Sequence, residues 1–414
     1  MKNKRSPEAV VLRNKAVTLT ATVLTSVATM TATGTLMQTF LATLGLDPKL
    51  IYIHATLIQA ANVSTLVLGA KWVNNRNVIR RYALITLPFA LLFLCYLPIC
   101  LRQDSSLRTF TVLVLIGLLQ AVATALRTVC SYTTPYLLYP AEDYGPFLAV
   151  TGVVSGVFSL LSGAAVSFLS AKIGFGTLMT GAFVLSAVLE LIEAFLLSRQ
   201  RSILPTEPEP KQTVLPKKSV PLRDVLRHPV FYTLIVPALL RGFASGTVGI
   251  LAAVAFELGF DESVTTQMVY LQSAASLGSC LLIGWLSKRV SSRYPVLFGS
   301  LTFLLLPLLF SGNKVIFLAA YTAVFFGRNL VDYGVPILMR HAVPMEIAGP
   351  YNAWRMILHN GGMLLATSAA AVIPVTWLTA ATLATSVLSG GMFFFAKVLR
   401  HCDDPKIRDE QKES

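Results

Sequence analysis

The chain has 414 residues, of which 54% are hydrophobic and only 13% charged, with a mean hydropathy of +0.66. Soluble domains carry about 25% charged residues, so composition excludes a water-soluble fold. The formal net charge of +14 would point to nucleic acid only if Lys and Arg shared one soluble face, and their positions exclude that.

In chain order, apolar stretches of spanning length read as helices at roughly 16–44, 49–71, 82–101, 109–138, 145–170, 174–198, 229–257, 263–287, 294–311, 315–339, 350–372 and 376–398. These are spans 1 to 12. Lys2, Lys4, Arg5, Arg13 and Lys15 come before or at the start of span 1, and the apolar run to Leu46 is too long for a signal peptide, so it reads as a retained span. The other basic residues crowd alternate connections: Lys71 to Arg81, the 199–228 segment, Lys288 to Arg293, Arg340 and the C-terminal tail. The opposite side holds only Lys49, Arg102, Arg108, Lys172 and Lys314. The positive-inside rule therefore expects a multi-pass protein of the plasma membrane with both termini cytoplasmic. Cys95, Cys100, Cys130 and Cys280 fall within spans and Cys402 in the tail, which gives neither a disulfide framework nor a metal spacing. No cofactor and no metal are expected.

Between spans 6 and 7, five prolines from Pro205 to Pro221 alternate with Glu and Lys, a composition that cannot pack a core. It divides the chain into two similar lengths. Leu12-Arg13 before span 1 recurs as Leu226-Arg227 before span 7, and Leu44-Gly45-Leu46-Asp47 recurs as Leu258-Gly259-Phe260-Asp261. Pro140, Glu142, Gly145, Pro146 and Phe147 between spans 4 and 5 recur as Pro344, Glu346, Gly349, Pro350 and Tyr351 between spans 10 and 11. A repeat that keeps helix order and direction is parallel, related by an axis along the membrane normal. The expected fold is all-α and integral to the membrane, with about twelve transmembrane helices in two six-helix bundles. The expected division is 1–198 for the first bundle, 199–228 for the linker, 229–400 for the second bundle and 401–414 for the tail.

With these features the chain resembles a major facilitator superfamily transporter over essentially its whole length. The family's loop motif between helices 2 and 3, and again between 8 and 9, maps onto Ala70 to Asn77 and Gly284 to Ser291. Asn74 and Lys288 stand where the family places an Asp, with Arg289 following Lys288. The resemblance implies a central cavity lined mainly by helices 1, 4, 7 and 10. It also implies gating roles for Asn74, Lys288, Arg289 and, near the end of span 11, Arg355.

A charge at mid-membrane is costly and marks a functional site by default. Arg127 in span 4, Arg241 in span 7 and Arg328 in span 10 meet that test, and the resemblance places all three on the substrate path. Gln120, Thr124, Arg127, Ser131 and Thr134 recur at helical spacing as one polar stripe. Thr18, Thr22, Thr25, Thr29 and Thr33 make a second stripe on span 1, which serves either cavity lining or close helix packing. Arg328 and Asp332, four apart, can pair on one face, and Asp332 lies at the level of Thr128, next to Arg127, in the other half, so the geometry also allows an Arg127–Asp332 bridge across the cavity. Three arginines against one aspartate favour a substrate with an anionic group; structural bridging and proton relay are the alternatives.

Asp332, then Glu190 and Glu193, then Glu257 are the candidate proton carriers, with Asp332 the best placed. Glu190 and Glu193 read mainly as residues snorkelling toward, or paired with, Arg199. Arg355 and His359, one turn apart, read as a structural latch. Pro237, Gly242, Gly246, Gly334 and Pro336 are candidate bending points.

No phosphate-binding loop, zinc-protease helix or nucleophile elbow occurs, so an enzyme is not expected and energy must come from a gradient. The function expected is secondary active transport by alternating access of a small organic anion, or of a molecule with an anionic group. A proton-coupled multidrug or metabolite exporter of the same fold is the alternative, and a non-transporting membrane enzyme or receptor is the rival from another class. The expected partners of this monomer are a small-molecule substrate, the lipid bilayer and a proton or counter-anion, with no nucleic acid. Candidate substrate contacts are Arg127, Arg241, Arg328, Asp332, Gln120 and Thr29.

Overall fold

A computed structural model describes residues 7–32, 34–72, 78–102, 104–203, 227, 229–286, 290–291, 293–342 and 345–396. Asn74, Lys288, Arg289, nearly all of the 199–228 linker and the 401–414 tail lie outside the described residues. Helices α1 (Pro7–Ala32) and α2 (Thr35–Thr43) form span 1, and α3 (Pro48–Trp72) forms span 2. Span 3 comprises α4 (Val78–Leu94) and α5 (Leu97–Arg102), followed by α6 (Leu107–Leu138), α7 (Ala141–Ile173) and α8 (Phe175–Leu197). In the second half, α9 (Pro229–Gly249) and α10 (Leu251–Glu257) share span 7, and α11 (Glu262–Leu286) is span 8. Span 9 begins as α12 (Arg293–Leu301) and tightens into a 3₁₀ segment, Thr302–Phe310. Helices α13 (Lys314–Ala342), α14 (Met345–Val372) and α15 (Val375–Phe395) complete the chain.

Hydrocarbon leaves the backbone no water to bond, which is why these apolar stretches are helical and why each interruption has a local cause. Span 1 divides at Gly34, which adopts a positive φ of 61°. Span 3 divides just before Pro98, which sits in the first turn of α5, where its missing N–H costs nothing. Span 7 bends by 48° between α9 and α10. Neither α9 nor α13 breaks at the expected points: α9 is continuous through Pro237, Gly242 and Gly246, and α13 through Gly334 and Pro336.

Nine described helices or helix pairs are long and apolar enough to cross a membrane, and bent span 7 makes a tenth. The α1–α2 unit and α14 are also long but richer in polar residues, consistent with six crossings in each half. Large apolar side chains such as Leu115, Leu161, Phe168 and Leu304 point outward, as a lipid-facing surface requires.

The packing shows the repeat directly. In the first half α1 packs on α7 and α8, α4 on α6 and α8, and α3 on α6. In the second half α9 packs on α14 and α15, α12 on α13 and α15, and α11 on α13, so each pair reproduces its counterpart. The main contacts between the halves exchange in the same way, with α7 on α11 and α3 on α14.

Two sets of hydrogen bonds fix the faces. Where α1 begins, buried Asn14 donates to the carbonyls of Leu138 (3.3 Å) and Arg201 (2.8 Å) and accepts from the Arg201 N–H (3.1 Å). This near face thus gathers the start of α1 and the ends of α6 and α8. At the far face, Tyr52 donates to Glu257 (2.7 Å) and Lys314 to Ser263 (3.2 Å).

Candidate substrate path

A cavity of about 420 Å³ lies toward the near face, between the two halves. Its first wall is the threonine stripe of α1: Thr18, Thr22, Thr25 and Thr29 all line it, together with Ser26. Their spacing of three and four residues puts the hydroxyls on one face, and back-bonding to the preceding turn satisfies several of them, as in Thr29 to the Thr25 carbonyl at 2.8 Å. Ser131 and Thr134 of α6, Ser155 and Ser159 of α7, Tyr139 and Gln200 extend the polar wall, and Ser276 of α11 brings in the second half. Thr18, Thr22, Thr25 and Thr29 of span 1 thus face the cavity, as do the near-face polar residues of span 4, while Thr33 lies outside the described residues.

The remainder of the span 4 stripe turns elsewhere. Gln120 accepts from the Tyr96 hydroxyl at 2.9 Å and does not line the cavity. Arg127 faces α8, where Nη1 meets Glu190 and Nη2 meets Glu193, each at 2.9 Å, while its guanidinium covers the Phe89 ring at 4.4 Å. The Arg127–Asp332 bridge that the spacing allows does not form. An unpaired guanidinium facing a distant partner costs far more than one seated on two carboxylates of its own bundle, and the local arrangement wins. Arg199 likewise takes no part in holding Glu190 or Glu193 and instead stacks on Phe195 at 4.6 Å. Of the three residues, Glu193 alone lines the cavity, with Arg127 and Glu190 behind it.

The second half carries the opposite arrangement. Asp332 of α13 pairs with Arg241 of α9, and Arg328 Nε stands 3.6 Å from its other oxygen. Asp332 remains 33% exposed and Arg328 22%, so this pair of guanidiniums around one carboxylate reaches open space. Arg328 also covers the Phe325 ring at 5.3 Å. Arg241, Arg328 and Arg355 all lie within electrostatic reach of His359, so Arg355 belongs to this cluster in addition to sitting one turn from His359. The cluster exists because α9 and α14 approach very closely: a Cβ at Gly242 would land on the His359 carbonyl, and one at Gly362 on the Leu239 carbonyl. Gly242 and Gly246, read as bending points, are therefore points of contact, Gly246 against Met363.

Sequence reasoning missed Gln38. From α2 its side-chain amide donates to the Gly249 carbonyl, and its oxygen accepts from the Ala253 N–H at 3.3 Å, so it spans the break in span 7. Thr35 donates to Gln272 at 3.0 Å beside it. Together with Tyr52 and Glu257, these bonds close the far face between the halves.

Comparison with known proteins gives the same picture. The family model described as the Major Facilitator Superfamily matches residues 17–367. Similar solved structures include a D-xylose-proton symporter, at 13% identity over 94% of this chain and 99% of that one, with a TM-score of 0.69. The nucleoside transporter NupG aligns at 14% identity over 93% and 98%, with a TM-score of 0.66. A bacterial homologue of the iron transporter ferroportin, in an outward-facing state with soaked iron, aligns at 16% identity over 92% and 98%, with a TM-score of 0.63. At such identities the likeness carries the fold and leaves the substrate to the chain's own residues. No curated protein sequence matches it. A family match of this extent, on a fold whose halves pack alike around a polar cavity, makes the chain a member of the Major Facilitator Superfamily with that family's transporter architecture.

Proposed function

We propose that the protein is a secondary active transporter of the plasma membrane, working by alternating access, whose substrate is a small polar solute with an anionic group. The observation that carries this reading is that Arg241 and Arg328 share one carboxylate, Asp332, at a partly open position inside the membrane. Two guanidiniums converge there on Asp332, and an anion arriving is met by fixed, planar donors. Arg127 no longer belongs to this count, because Glu190 and Glu193 neutralise it. The hydroxyl wall of α1, α6 and α7 suits the polar body of such a solute.

On this reading the near face is cytoplasmic, as the Lys and Arg distribution indicates, and the far-face bonds define an inward-facing state. The two bundles, 1–198 and 229–400, rock about the cavity as a monomer, with the 199–228 linker between them. A neutral hydroxylated solute is the second reading, favoured because the cavity's lining is rich in Thr and Ser hydroxyls and holds no arginine among the described residues. A thermal-shift screen of purified protein against paired metabolites, with and without a carboxylate or phosphate, separates the two. Anionic members are expected to raise Tm in wild type and to lose that effect in Arg241→Ala and Arg328→Ala. Equal shifts from both members of each pair, or shifts unaltered by the substitutions, would remove the anion from the proposal.

A further inference from the structure

Glu190 and Glu193 stand three residues apart on α8, so their carboxyl groups emerge on one face. Both are buried, at 0% and 3% exposure, against the single guanidinium of Arg127. The two carboxyl groups are within hydrogen-bonding reach of each other, yet Glu190 Oε1 has no donor facing it. Two carboxylates have no hydrogen to share, so contact between them is favourable only with a proton between. The groups facing the pair from neighbouring helices are Arg127 of α6 and the Tyr82 hydroxyl of α4. Arg81 of α4 acts on Cys130, further along α6. Around Glu193, α1 and α7 present hydroxyls: Thr22, Thr25, Ser26, Ser155 and Ser159.

One guanidinium against two carboxylates leaves a net charge of −1 in a nearly waterless site, and like charges this close do not both ionise. We propose that Glu190 and Glu193 bind one proton between them, with Arg127 as counter-ion and the cavity at Glu193 as the route of exchange. Loading is a simple proton transfer: a hydronium in the cavity gives its proton to a Glu193 oxygen, leaving water, and the new O–H donates to Glu190. The same O–H supplies the donor that Glu190 Oε1 lacks. The protonated site is neutral and the deprotonated one anionic, so the charge on the substrate-facing wall depends on proton occupancy. For its consequence the inference rests on the transport reading, making the proton the coupling ion; the binding site itself stands on the geometry alone.

Infrared spectroscopy of the protein in lipid nanodiscs tests it without any substrate. Wild type at neutral pH is expected to show the carbonyl stretch of a protonated carboxyl, lost in both Glu190→Gln and Glu193→Gln and untouched by Asp332→Asn. Each Gln variant mimics the protonated form, so both should fold. A folded pair that holds a proton the unfolded chain releases loses stability as pH rises. Wild-type Tm should therefore fall as pH rises, and the Gln variants should flatten that profile. A wild type without the band, a band that survives both substitutions, or a pH profile unchanged by them would overturn the proposal. None of these readouts involves Arg241 or Arg328, so the anion reading can fail while this one holds, and the reverse.

Discussion

The two halves of this transporter share one packing scheme and hold opposite charge arrangements. In the first, the cation sits on span 4 and two acids on span 6 enclose it completely. In the second, the equivalent helix, span 10, carries the acid, and arginines from spans 7 and 10 share it at a position reaching open space. Duplication preserved which helices touch and left the buried charges free to diverge. A closed charge cluster suits holding structure and binding something as small as a proton, whereas one that reaches open space suits a larger guest, as proposed above.

The largest expected effect comes from emptying the closed cluster. Arg127→Ala leaves two buried carboxylates without a cation and should cost about 3–5 kcal/mol, seen as loss of a monodisperse peak or a sharp fall in Tm. Adding Glu190→Gln and Glu193→Gln to that variant should recover much of it; a single variant as stable as wild type would mean that the cluster is not closed as described. Next is Gly242→Ala, whose methyl group has no room beside the His359 carbonyl: overpacking there should cost about 1–3 kcal/mol and lower Tm without altering the first-half cluster. Asp332→Asn should cost less, about 1–2 kcal/mol, because the carboxylate is a third exposed and its pairs are partly screened. The loss should be recovered by sulfate or phosphate, and a variant indifferent to anions would erase the contrast between the halves. Smallest is Gln38→Leu, which removes about 1 kcal/mol of bonding across the far face, equivalent to roughly a fivefold shift toward far-face opening. Labelling of a cysteine introduced at Thr39, which is buried on α2 one residue from Gln38, should report that shift as faster reaction.

The scaffold was legible from the sequence because it rests on long-range regularities: apolar length, the side on which Lys and Arg fall, and loop motifs repeated between halves. The threonine stripe was legible too, because a helix turns its period into a face. The partner of Arg127 was not, since periodicity along one helix says nothing about which neighbour a side chain turns toward. A usable signal existed: two acids three residues apart in an otherwise apolar span need a cation at their depth, and Arg127 is the arginine within a first-half span that supplies one. The bend in span 7 was misplaced for a related reason. Proline and glycine weaken a helix only where nothing packs on them, whereas Gly242 and Gly246 serve close approach and the break falls at Ile250. Gln38 carried no signal, because its role depends on backbone groups more than two hundred residues away.

That grip on the chain itself has a consequence for how the outer door opens. Gln38 holds a carbonyl and an N–H at the interruption of span 7, groups that a broken helix cannot satisfy internally. Parting the halves strips both of their partner at once, and only solvent arriving in the gap can replace it. Wetting and unlatching are then a single event, and the rate of unlatching should follow how readily water enters that crevice.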